Sequence, residues 1–184
     1  IISIQLIIFL FASFLLYSTY KEKNEVNEEF VKIKVESNAD SNSFTDVEYS
    51  GFDLNGNRYT LDAGKATFET ESPETIVMKK VEANFYLKDD TILNVISDGG
   101  VYNNITLDME FSGNVKATYL TNTLFSDKLN YFNSTSKLLA SGKVHGESVE
   151  KGEFFADNVE YDLNKKTLDL TMFGSQQVKM KVKN

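Results

Sequence analysis

The chain has 184 residues, with 27 Asp and Glu against 19 Lys and Arg for a formal charge of −8, one histidine, one proline, and neither cysteine nor tryptophan. Without cysteine there is no disulfide framework, thiolate zinc site, cysteine nucleophile or cysteine to carry a lipid anchor. An acidic chain lacks the basic footprint that phosphate backbones demand, so no nucleic acid partner is expected, while 41% hydrophobic residues exclude a disordered polymer.

Residues 1–20 read IISIQLIIFLFASFLLYSTY, with no charged side chain before Lys21. At a rise of about 1.5 Å per residue they reach the roughly 30 Å of a bilayer core. The competing reading is a secretory signal peptide, whose apolar core is shorter, about 7–15 residues, and ends in a small-x-small cleavage site. Tyr17, Ser18, Thr19 and Tyr20 offer a poor one. The run has no polar face, which argues against a buried core helix. We expect a single transmembrane anchor at 1–20. After it, Lys21 and Lys23 are outnumbered by Glu22, Glu25, Glu28 and Glu29, which favours a downstream side outside the cytoplasm. Residues 21–43 read as a polar tether, in which Phe30, Ile33 and Val35 allow a brief strand.

Residues 44–184 carry strand signals almost continuously. The first hairpin, FDLNGNRYTLDA, places Asn55-Gly56 between alternating arms, the dipeptide of a type I′ turn. Val81, Ala83, Phe85 and Leu87 alternate with polar neighbours, as do Ile105, Leu107, Met109 and Phe111, and near the end Val178, Met180 and Val182 alternate with lysines. A period of two means half-buried antiparallel strands.

The segments repeat. A small residue is followed five positions later by an aromatic at Ala63 and Phe68, Ser97 and Tyr102, Ser126 and Tyr131, and Ala156 and Tyr161. Eleven residues after Tyr102 and Tyr131 come Gly113 and Gly142, each followed by valine two residues on, at Val115 and Val144. The first unit has Lys79 where that glycine would fall. A unit of about thirty residues cannot bury its own apolar face, whereas stacked units share one core and leave open strand edges at both ends.

The anchor, the tether, the hairpin G-x-x-Y-x-L-x-A (Gly56, Tyr59, Leu61, Ala63) and the units of small-x4-aromatic and G-x-V together resemble the LptC family, over nearly the whole chain. The resemblance implies an all-β, antiparallel, open-ended β-jellyroll behind one transmembrane helix, in the inner membrane with its C-terminal domain in the periplasm. It also implies a non-enzymatic lipopolysaccharide relay of an export ABC transporter, partnered by the permease subunits and by a soluble periplasmic bridge protein of the same fold. In the family the N-terminal jellyroll edge meets a permease jellyroll, here the strand of Thr45, Val47 and Tyr49. The C-terminal edge meets the bridge protein, here Val178, Met180 and Val182. The family's helix also modulates transporter coupling, a role that would fall to residues 1–20.

The residues themselves suit such a task. A trough lined by Met78, Val81, Ala83, Phe85, Val115, Ala117, Tyr119, Tyr131, Val144, Val159 and Tyr161 mixes small and large side chains, and methionine adapts to irregular acyl chains. The net negative charge disfavours gripping the lipid by its phosphates. At any single position simple core packing is the stronger reading, and the trough rests on the set. Catalysis finds little support. His145 is the only histidine, so triads and two-histidine metal sites are excluded. Asp53, Asn55 and Asn57 imitate the start of a calcium loop, but Gly56 and Gly64 stand at the wrong places. We expect no catalytic residues, metal or cofactor. The second reading is a membrane-tethered β-repeat assembly protein with no lipid ligand.

Overall fold

The computed structural model describes residues 32–34, 42–68, 72–173 and 177–182, all within the unit Val31–Asn184. The expected anchor and most of the tether lie outside the described residues; among those described, no helix is long and apolar enough to cross a membrane. The strands are β1 (Lys32–Lys34), β2 (Ser43–Phe52), β3 (Arg58–Phe68), β4 (Thr75–Tyr86), β5 (Ile92–Asn103), β6 (Met109–Tyr119), β7 (Asn122–Phe132), β8 (Lys137–Ser148), β9 (Gly152–Asp162), β10 (Thr167–Thr171) and β11 (Lys179–Val182). They form one antiparallel sheet in which spatial order is chain order from β1 to β10, with β11 also on β9. The expected jellyroll is therefore built as a meander of hairpins, without the long return connection of a Greek key.

A strand of twelve residues such as β4 would run about 40 Å if straight. Instead the strands bend along one line across the sheet. The register skips Asp46 against Gly64 and Gly64 against Lys80. It then shifts at Ser97–Asp98 against Gly113–Val115, and at Ser126–Asp127 against Gly142–Val144. Asp46 and Lys80 have φ of 51° and 53°, and the pairs Gly113-Asn114 and Gly142-Lys143 have φ of 75° and 48°, and 78° and 50°. This line explains the repeat. Residues five apart cannot share a face of a regular strand, but one residue turned aside at the bend brings Ala63 and Phe68, or Ser126 and Tyr131, onto the same inner face. It also explains Lys79: β4 and β5 skip one residue each at the bend, Lys80 against Asp98. β6 and β8 instead carry one extra residue relative to β7 and β9, and there glycine takes the positive φ.

The bend folds the sheet into two walls with one interior. Phe85 of the first wall meets Tyr131 of the second with ring centroids 5.0 Å apart, and the hydroxyls of Tyr59 and Tyr102 lie 3.0 Å apart across the gap. Burial, followed by hydrogen bonding to Tyr49, raises the Tyr102 phenol well above its usual range. The loop ends meet as well. The Leu54 amide donates to Asn133 Oδ1 at 3.2 Å, Asn55 Nδ2 donates to Ser136 Oγ, and Lys166 pairs with Asp89.

The loop at residues 53–57 departs from the expected type I′ turn. Gly56 has φ of 77° but Asn55 has no positive φ. The cause is Asp53, whose Oδ1 accepts from the amides of Asn55 and Asn57 at 2.9 and 2.7 Å and organises a longer, carboxylate-capped loop. Asp89 is held differently. Hydrogen bonds from Lys166 and then Thr91 lower its carboxyl from 3.8 to about 2. A lowered carboxyl contributes its stability above the unfolded value and loses it as pH falls through the folded one. The melting-temperature gap between wild type and Asp89→Asn should therefore shrink from about pH 5 to about pH 2; a constant gap would refute the pairing.

Candidate functional site

Cross-strand register sets the inward side chains in rows. In the first wall one row begins Tyr49, Leu61, Ala83, Val95 and continues Ala117, Leu124, Gly146, Phe154, Met180. In the second wall a row begins Met78, Gly100, Phe111 and continues Leu129, Ala140, Val159, Leu170. The early members are shut in: Ala83, Val95 and Phe111 are 0% exposed. The later members line a cavity of about 440 Å³ between the walls, within the size range of small-ligand pockets.

Leu93, Tyr119, Leu138, Tyr161 and Leu168 complete the apolar lining, and Asn122, Thr123, Glu147, Ser148, Lys151 and Glu153 supply polar groups. Two tyrosines keep polar ends within an apolar surround. The Tyr119 hydroxyl accepts from Thr91 Oγ1 at 3.3 Å, and burial, then the neighbouring Tyr119, raises the Tyr161 phenol. The predominantly apolar surface is suited to holding hydrocarbon. Among the described residues no group of three or more His, Asp or Glu is placed to hold a metal ion. His145 lies on a packed surface, stacked on Phe155 at 4.4 Å with an interplanar angle of 5°.

All eleven residues read as trough lining are buried or packed against the core, but they divide into two groups. Ala117, Tyr119, Val159 and Tyr161 line the cavity. Met78, Val81, Ala83, Phe85, Val115, Tyr131 and Val144 are at most 4% exposed and fill the closed part of the interior. The sequence reading missed Gly146, Phe154, Leu138, Ala140 and Leu168. Leu138 and Ala140 lie in the run Leu138-Leu139-Ala140, which is apolar throughout and so does not mark which face turns inward.

The edges also differ in detail from the expectation. β1 lies outside the strand of Thr45, Val47 and Tyr49, with Lys34 opposite Thr45 and Lys32 opposite Glu48. That strand is therefore second from the end along part of its length. At the other end β10 pairs with residues 158–162 of β9 and β11 with residues 152–155. The two succeed one another along β9 like a single bent strand broken at the bend line, where the Phe173 amide donates to Asp157 Oδ2 at 2.6 Å. β11 begins at Lys179, one residue after Val178, and its Met180 and Val182 are 62% and 66% exposed.

Comparisons with known proteins agree with this architecture. The crystal structure of LptH, the LptA homologous periplasmic component of the lipopolysaccharide transport device of Pseudomonas aeruginosa, superposes with a TM-score of 0.55 at 10% identity, covering 68% of this chain and 95% of that one. At that identity the likeness is one of fold. No individual curated protein matches in sequence. The family described as lipopolysaccharide-assembly, LptC-related, matches residues 5–171. That span takes in nearly every strand described above, and the chain belongs to the LptC-related lipopolysaccharide-assembly family.

Proposed function

We propose that the chain is the lipopolysaccharide-binding relay of an inner-membrane export complex, receiving acyl chains from a permease jellyroll and passing them to a soluble periplasmic bridge protein of the same fold. Residues 1–20 anchor it and modulate transporter coupling, residues 21–43 tether it, and the strands from residue 44 onward form the periplasmic domain. The carrying observation is the apolar cavity beside the terminal strands β10 and β11 in a member of a lipopolysaccharide-assembly family. Each buried acyl methylene contributes about 0.8 kcal/mol, so hand-over between two such cavities is close to isoenergetic and needs no chemical step in this chain. The exposed edge of β11 offers backbone groups to an added strand, and β1 and β2 form the edge facing the permease.

The test is a photo-crosslinking residue in the full-length chain in lipopolysaccharide-producing membranes. Tyr161 and Leu138 should label lipid, Phe85 less, and Lys88 on the surface not at all. Labelling at Lys88 equal to that at Tyr161, or none at Tyr161, would sink the relay reading. It would favour the β-repeat assembly protein without ligand, which the fully packed interior around Ala83, Val95 and Phe111 would also serve.

A further inference from the structure

Gly146 is the one residue without a side chain in the first-wall row that lines the cavity, between Leu124 and its partner Phe154. Its bareness is used. A Cβ built there would fall 2.1 Å from Cε1, 2.2 Å from Cζ and 2.8 Å from Cδ1 of Phe154. The Phe154 ring therefore lies down across the Gly146 backbone. Side chains on strands ordinarily stand roughly perpendicular to the sheet, and from this position an upright ring would project between the walls. Contact at 2.1 Å is far inside van der Waals distance, so any side chain at residue 146 must lift the ring.

We infer that Phe154 and Gly146 form a ring and its seat that set the bore of the cavity, and with it which acyl chains the site accepts. This rests on the acyl-binding reading above. With the ring seated, the space between Leu124, Ala140 and Val159 is clear for hydrocarbon; with the ring lifted, the ring itself occupies it. Phe154 is half-buried and its other register partner is Met180 of β11. The ring thus stands at the end of the cavity nearest the terminal strand, where it selects by width.

The experiment uses the full-length chain in detergent, with cis-parinaric acid as the fluorescent acyl probe and 4-fluorophenylalanine at position 154 read by fluorine NMR. Gly146→Ala should displace the fluorine resonance and weaken parinarate binding about tenfold or more, the scale of a methylene-sized obstruction in an apolar pocket. The double variant with Phe154→Ala should restore binding. Phe154→Ala alone, which leaves the glycine untouched, should bind at least as tightly as wild type and admit bulkier acyl chains. An unmoved resonance with unchanged binding in Gly146→Ala would overturn the seat, as would loss of binding in Phe154→Ala. If wild type takes no parinarate while Gly146→Ala moves the resonance, the acyl reading fails and the ring seat stands.

Discussion

Gly142→Val should destabilise the fold by about 3 kcal/mol, the sum of about 1–2 for forcing an L side chain into the left-handed region and about 1–3 for overpacking. Gly142 has φ of 78°, and its Cβ would meet Asp127 Oδ2 at 2.8 Å and Asp127 Cβ at 2.9 Å. Against a typical total of about 5–15 kcal/mol that is a large fraction. Gly113→Val should cost somewhat less, because its nearest contacts, on Asp98, are 3.1 and 3.2 Å. Urea unfolding of the two variants beside wild type checks both the magnitude and the order. An unchanged midpoint for Gly142→Val would mean that the bend does not depend on this residue.

Phe85→Ala should cost about 3–5 kcal/mol, the range for deleting a buried ring. Phe85 is 4% exposed, packs beside its strand neighbour Tyr59 at 6.3 Å and reaches the opposite wall at Tyr131, 5.0 Å away. Ala117→Phe, placed in the open part of the cavity, should leave thermal unfolding nearly unchanged. If Phe85→Ala proved as mild as Ala117→Phe, the closed interior would behave as lipid space, and the division between packed and open residues would be wrong.

The strands were legible because alternation is local, whereas the bend showed only as an unexplained five-residue step in the repeat. Alternation fixes faces, and the odd spacing from Ser126 to Tyr131 records the one residue that the bend turns aside. The loop at 53–57 misled because a carboxylate before Asn-Gly competes for the same amides, and Asp53 wins. The cavity was not legible. Val115 and Tyr161 both read as inward apolar residues, yet one is 1% exposed within the core and the other lines the opening. What separates them is where each falls both along its strand and across the sheet: Val115 sits beside the bend and Tyr161 away from it near the last strands, a property of the assembled walls. Phe154 and Gly146 were missed for the same reason, since their contact exists only once β8 and β9 are in register.

The stitching of the loop ends has a consequence for how the chain assembles. Each hairpin pairs neighbours in sequence and can form as soon as its two strands exist. The joins that close the interior are different: Leu54 to Asn133 spans 79 residues and Lys166 to Asp89 spans 77. Closure of such long loops comes late and slowly, because its entropic cost precedes any reward from contact. The sheet therefore grows as an open ribbon: the Tyr59–Tyr102 contact can bring the first strands together once β5 exists, but much of the greasy inner face stays exposed until β7 and the turn after it supply Tyr131 and Asn133. That interval is when the folding domain most needs protection from other chains.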